Sequence, residues 1–357
     1  MKLRNHLLSI SIYRIMIQQA ETKIRQSNFE LLRLVAMFMI VLGHANQSSI
    51  GVVSREDIFS NPFDSFLRLF LQQFCTVSVN VFILISGWFG IRSTIKGFAN
   101  MMFQVFFFSS IILIGALMLH VEIHPQSYFT LIGGGYWFII EYSVLYILSP
   151  ILNSYVESCS RLELRRILCA FFAMEFVYGW VLDFGRFLTG YSAISFVGLY
   201  LLARYLRIYP TWITRTPAIF SMMLFFTTIF ATTLLCFYGE KFVGARFVPY
   251  AYSSPFVIVA SVFIFAGFSK IKVHSKFVNS LAVSCLSIYL VHMHPVVFPY
   301  FQALMRSIYE HVTVPVYYFI VASIVAFVIG MMSILIDRIR LFLWQKCLKK
   351  ILSKYLV

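Results

Sequence analysis

Glu30-Leu31-Leu32-Arg33-Leu34-Val35-Ala36-Met37-Phe38-Met39-Ile40-Val41-Leu42-Gly43-His44 is an apolar run with an arginine near its start and a histidine at its end. At ~100° per residue, the eleven steps from Arg33 to His44 come to about three full turns, so an α-helix places both side chains on one face. At ~1.5 Å per residue they stand roughly 16 Å apart along the axis, about half the thickness of a bilayer core. Ionisable groups inside a membrane helix are costly and usually face a protein interior or a wet cavity. The spacing alone leaves two readings open. Arg33 is either an edge charge that snorkels to the headgroups or a cation that handles a ligand; His44 is either a hydrogen-bonded boundary residue or a catalytic one.

The whole chain supports a membrane setting. Its 357 residues are 60% hydrophobic and 12% charged, with a mean hydropathy of +0.83. This excludes a soluble domain and implies a polytopic membrane protein. The 39 phenylalanines suit lipid-facing and interhelical packing. A net charge of +15 invites a nucleic-acid reading, but the distribution of that charge argues for membrane topology instead, and no nucleic-acid partner is expected. Six scattered cysteines form no CxxC pair and no metal spacing, so they read as small buried hydrophobes.

The expected fold is all-α: a polytopic integral membrane helix bundle of about ten transmembrane helices. The spans fall near 29–47, 66–90, 99–120, 129–150, 165–184, 190–206, 216–237, 249–268, 278–301 and 313–337. With the N-terminus inside, 22 of the 29 basic residues fall on cytoplasmic segments and six outside, with Arg33 in a helix. That bias puts both termini in the cytoplasm and leaves much of the surplus charge to contact anionic lipid. The organisation is then a basic cytoplasmic segment (1–28), a ten-helix transmembrane domain (29–337) and a basic cytoplasmic tail (338–357). Met16 is a second candidate start, since the stretch from Leu7 to Ile17 is broken by Arg14 and makes a poor signal peptide.

Four further features carry candidate chemistry. Ser86-Gly87, near the end of the second span, permits close helix approach. Arg92 and Lys96 follow it as two cations suited either to a phosphate-bearing ligand or to ordinary membrane topology. Gly133-Gly134-Gly135 weakens the helix before Tyr136-Trp137, a pair that suits an interfacial aromatic belt, and Glu141 sits one turn further on. His292 and His294 point about 200° apart on a helix, so they do not form a metal pair and one at most faces a site. Glu175 is a mid-membrane carboxylate, structural or functional. No P-loop, GxSxG or HExxH motif is present.

Arg33-x10-His44, FILISGWFGI (Phe82–Ile91), YWFIIEYSVLYILSPIL (Tyr136–Leu152) and SIYLVHMHP (Ser287–Pro295) together resemble the membrane acyltransferase-3 family, in order and spacing from about residue 28 onward. The resemblance implies a ten-helix bacterial O-acyltransferase of the inner membrane, acting on surface polysaccharide or related glycans. It assigns His44 as general base on the acceptor hydroxyl, Arg33 to the acyl-CoA donor and His292 to the ninth-helix motif. It implies acetyl-CoA (or another acyl-CoA) as donor substrate, no bound cofactor, and a surface glycan or lipid-linked sugar as acceptor. The family's Arg-x-x-Arg after the second helix is replaced here by Arg92-Ser-Thr-Ile-Lys96, with Arg204-x-x-Arg207 after the sixth span. Histidine, with an ordinary pKa of about 6.5, suits proton abstraction at neutral pH. Glu141 is the expected carboxylate partner setting its tautomer. A glycan or lipid-linked-sugar transporter without acyl chemistry is the alternative.

Overall fold

Helix α1 (Ser27–Gly43) begins where the sequence turns from polar to apolar, and it continues without a break into a π-helical turn, His44–Ser48. This segment lies in a computed structural model that describes residues 25–182, 189–243, 251–312 and 314–348. Both candidate starts, Lys2, Arg4, Arg14 and Lys23, Arg186 and Arg246, and Lys349, Lys350 and Lys354 lie outside the described residues. The chain continues through α2 (Arg55–Ser60), α3 (Pro62–Phe89), α4 (Ile95–Met118), α5 (Trp137–Ser158), α6 (Arg161–Met174) and α7 (Ala193–Ile208). Then come α8 (Trp212–Arg215), α9 (Ala218–Phe242), α10 (Pro255–Phe268), α11 (Lys276–Ala282), α12 (Cys285–His292), α13 (Phe298–His311) and α14 (Pro315–Leu343). Among the described residues there is no strand.

Local chemistry explains many of these boundaries. Pro62, Pro255 and Pro315 open α3, α10 and α14, where the missing N–H has no intrahelical role. Thr94, Ser160, Ser192 and Ser275 accept first-turn N–H groups as N-caps.

Six helical segments are long and apolar enough to cross a membrane: Ser27–Ser48, Pro62–Phe89, Ile95–Met118, Pro125–Ser158, Ala218–Phe242 and Pro315–Lys346. They coincide with six of the expected spans. The others meet shorter pieces, and the ninth, expected as one helix over 278–301, is broken into α11, α12 and the start of α13. Pro295 has no N–H to donate, and the chain turns between His292 and Phe298.

Burial separates the inner helices from the outer ones. In the most apolar windows of α1 and α3, 61% and 67% of positions are buried, against 22–33% for the other four segments. α1 therefore packs centrally, against α3, α10, α11, α12 and α14. Ser86-Gly87 does allow close approach: a Cβ on Gly87 would lie 2.5 Å from the Tyr200 carbonyl oxygen of α7.

One arginine counted as a cytoplasmic surface charge belongs to the interior. Arg340 is 1% exposed and binds both carboxylate oxygens of Asp337, each at 2.8 Å. Asn100 accepts from Arg340 and Gln104 donates to Asp337, so α4 and α14 are pinned by a satisfied polar network. Breaking one side leaves a buried charge without compensation, which typically costs about 3–5 kcal/mol. Asp337→Leu is expected to lower the thermal midpoint of the detergent-purified protein sharply. Asp337→Leu with Arg340→Leu should recover most of that loss, and a double variant no better than the single one would show that the pair is not the linkage.

Candidate active site

Arg33, Met37 and Ile40 of α1 and His44, the first residue of the π-helical turn that continues it, form one stripe at spacings of four, three and four residues. Val79, Phe82 and Ser86 of α3 and Phe138 and Tyr142 of α5 face the same seam. Ser86 Oγ and the Tyr142 hydroxyl meet at 3.2 Å near its Arg33 end. At the other end lies a narrow slot of about 30 Å³, lined by Met37, Ile40, His44, Phe82, Phe138 and Tyr289 among others.

A second, larger cavity of about 350 Å³ also has His44 in its wall. Its walls combine Gln47, Gln72, Thr76 and Ser78 with the rings of Tyr191 and Tyr252. Trp137, Tyr191 and Tyr252 form an aromatic cluster, Tyr191 lying 4.6 Å from each of the other two rings. Tyr136 and Trp137, expected in an interfacial belt, are inside: Tyr136 is fully buried and donates to the Leu290 carbonyl, while Trp137 lines the slot. His44 therefore lines both an apolar slot and a polar vestibule.

The His44 imidazole is held by α12. His44 Nδ1 lies 3.0 Å from His292 Nε2, and His292 Nδ1 lies 2.6 Å from the Ile288 carbonyl oxygen. A carbonyl only accepts, so His292 Nδ1 carries the proton. In the neutral ring its Nε2 is then a bare acceptor, and the bond between the rings requires the proton on His44 Nδ1. A neutral His44 is left with an unprotonated Nε2 lone pair.

The backbone here is wide, and side chains tie it down. In the π-helical turn or beside it, Tyr318 donates to the Ala45 carbonyl, Gln302 to Ser48 and Arg306 to Ser49. π-Helical turns are rare and recur at functional sites.

The family model described as an acyltransferase domain matches residues 26–335. The chain belongs to the acyltransferase-3 family. No curated protein and no solved structure matches it. With its apolar helices, it is a multi-pass membrane acyltransferase.

The other residues expected at the acyltransferase site are distributed as follows. Arg33 pairs with the buried carboxylate of Glu30 at 2.8 Å, and its own side chain is 31% exposed. Arg92 and Lys96 are exposed and stand at the same end of the bundle, where Phe29 of α1 packs on Trp88 and Phe89 of α3. Arg204 lies closer to the second motif: a Cβ on Gly90 would meet its guanidinium at 3.1 Å. Arg207 lies 4.9 Å over the Trp88 ring. Glu141 does not hold His44. Its carboxylate accepts from the Ala193 N–H at 2.6 Å, at the start of α7, where the helix dipole favours an anion.

Glu175 is 1% exposed in a second π-helical turn, outside the walls of both cavities. His294 bonds Thr130, away from His44. Cys75, Cys236 and Cys285 are buried as expected, but Cys169 is exposed.

The vestibule wall rests on Gly190. Its φ is +94°, and a Cβ there would lie 2.6 Å from both Ser253 N and Tyr252 Cβ. Gly190→Ala is expected to destabilise the protein by at least ~1–2 kcal/mol from the backbone strain alone. Gly239→Ala, in open space on α9, is expected to cost nothing. Thermal unfolding of both variants in detergent checks this, and equal midpoints would contradict the packing described.

Proposed function

We propose that this protein is an O-acyltransferase, and specifically an O-acetyltransferase, of the inner membrane. It has ten spans with both termini cytoplasmic. It moves an acyl group from acyl-CoA to a hydroxyl of a cell-surface or lipid-linked glycan. The observation that carries this reading is the contact of His44 Nδ1 with His292 Nε2, backed by the Ile288 carbonyl, on a histidine that lines both an apolar slot and a polar vestibule.

The division of labour follows from chemistry. The acceptor hydroxyl enters the vestibule, whose amides and hydroxyls match a sugar. The thioester enters along the stripe from Arg33, whose guanidinium spends one of its five N–H donors on Glu30 and keeps others for the donor's phosphates. The roughly 16 Å between Arg33 and His44 gives the pantetheine arm its path. Arg92 and Lys96 add positive charge at that mouth. The small slot favours a short acyl group.

His44 Nε2 takes the hydroxyl proton as the oxygen attacks the thioester carbonyl. The new C–O bond forms, the C–S bond breaks, and the proton passes from His44 to the departing thiolate. His292 is a positioning residue. Its bond keeps the His44 ring in the tautomer and orientation that the step needs, and Glu141 positions the aromatic wall through α7.

Transfer of label from acetyl-CoA to envelope glycans in membranes tests the reading. His44→Ala is expected to lower the rate about 10²–10⁴-fold at equal expression, the range of general-base catalysis. His292→Ala should fall substantially, whereas His292→Gln, whose amide oxygen can accept from His44 Nδ1, should recover part of the loss. Equal label with the native chain and His44→Ala, above an empty-vector control, would remove His44 as the base. In the same assay Arg33→Ala is expected to raise the KM for acetyl-CoA more than it lowers kcat, and an unchanged KM would take the donor away from Arg33.

A further inference from the structure

α12 carries a second polar group on the face that holds His292. Tyr289 lies one turn earlier, is 4% exposed, and lines the slot together with His44. Its hydroxyl is buried and has no hydrogen-bond partner. The backbone N–H of Phe138, in the first turn of α5, is directed at the phenol oxygen, and the O–H proton itself is left without an acceptor. First-turn N–H groups have no partner inside their own helix. A buried hydroxyl without an acceptor costs stability, on the order of 1–3 kcal/mol, and calls for an explanation. The neighbouring Tyr136 shows the ordinary solution: its hydroxyl donates to the Leu290 carbonyl at 2.9 Å.

We infer that the Tyr289 hydroxyl is the oxyanion donor for the thioester carbonyl. This rests on the acyl-transfer reading above. When the acceptor oxygen adds to the carbonyl carbon, the C=O electron pair moves onto the carbonyl oxygen. Tyr289 donates its O–H hydrogen bond to that oxygen and keeps its proton. The oxygen returns its electron pair to the carbon as the C–S bond breaks, and the hydroxyl proton follows the separate route through His44. The donor is in place before the charge develops and belongs to a wall of an apolar slot, the setting in which such hydrogen bonds act most strongly. The slot is thus the acyl pocket, with its base at one wall and its oxyanion donor on the same helix as the residue that positions the base.

Tyr289→Phe separates this role from a structural one, because it removes a single unpartnered oxygen and keeps the ring. The rate at saturating acetyl-CoA, measured with glycan-bearing membranes, should fall about 10²–10³-fold, the cost of one lost oxyanion donor. The KM for acetyl-CoA should stay within a few-fold, and the thermal midpoint should hold or rise. Tyr136→Phe should behave oppositely in the unfolding assay, losing stability with its bond to Leu290. An undiminished rate in Tyr289→Phe beside an active native chain would overturn the oxyanion assignment alone. A lowered midpoint in Tyr289→Phe would show that the hydroxyl has a structural partner and would overturn it too. A native chain that labels no glycan from acetyl-CoA or from longer acyl-CoAs would sink the acyl-transfer reading, and this inference with it.

Discussion

A backbone carbonyl decides the chemistry at the centre of this protein. Ile288 oxygen can only accept, so His292 Nδ1 must donate; with neutral rings the remaining proton positions follow in sequence to His44 Nε2. In many hydrolytic and acyl-transfer sites a carboxylate orients the base. In the proposed mechanism a neutral imidazole backed by a carbonyl takes that place, and the apolar seam is spared a buried anion beside His44. A buried carboxylate in such a setting needs a compensating charge or several donors. Glu141 has its own donor at the start of α7, and Glu30 has Arg33.

The arrangement holds only because distant segments converge on it. His44 and His292 are 248 residues apart, and the π-helical turn after His44 is secured by residues of α13 and α14. The break between α12 and α13 is part of the same design. Ending α12 at His292 puts that ring at a helix terminus, and the turn through Pro295 sends α13 back to bond the His44–Ser48 segment. The satisfied Asp337–Arg340 pair anchors α14, the helix that supplies Tyr318 to this turn.

What could be read in the sequence follows from what a helical period encodes. The stripe from Arg33 to His44 was legible because it lies within one helix, and the close approach at Ser86-Gly87 because small residues have one main use there. Partnerships between helices left no such trace. His292 stands out only through the family resemblance, and a carboxylate such as Glu141 is the natural expectation beside His44 because it is the commoner partner for a catalytic histidine. Tyr136 and Trp137 carried the composition of an interfacial belt, yet a glycine-rich turn directs them inward. Arg340 reads as surplus surface charge because a basic tail in sequence does not show that Asp337, three residues earlier, is buried with it. Tyr289 lies inside the Ser287–Pro295 motif and gives no signal there, since an unpartnered hydroxyl is visible only once its surroundings are packed.

The most direct test of this account is the protonation of His44 itself. Magic-angle-spinning NMR of the ¹⁵N-histidine-labelled protein in lipid bilayers, with His44→Gln used to assign the signal, distinguishes the two neutral tautomers. The expected result is a His44 ring protonated at Nδ1 with a bare Nε2, coupled across a hydrogen bond to His292 Nε2. A His44 ring protonated at Nε2 would contradict it, because the nitrogen facing the substrates would then have no lone pair to offer.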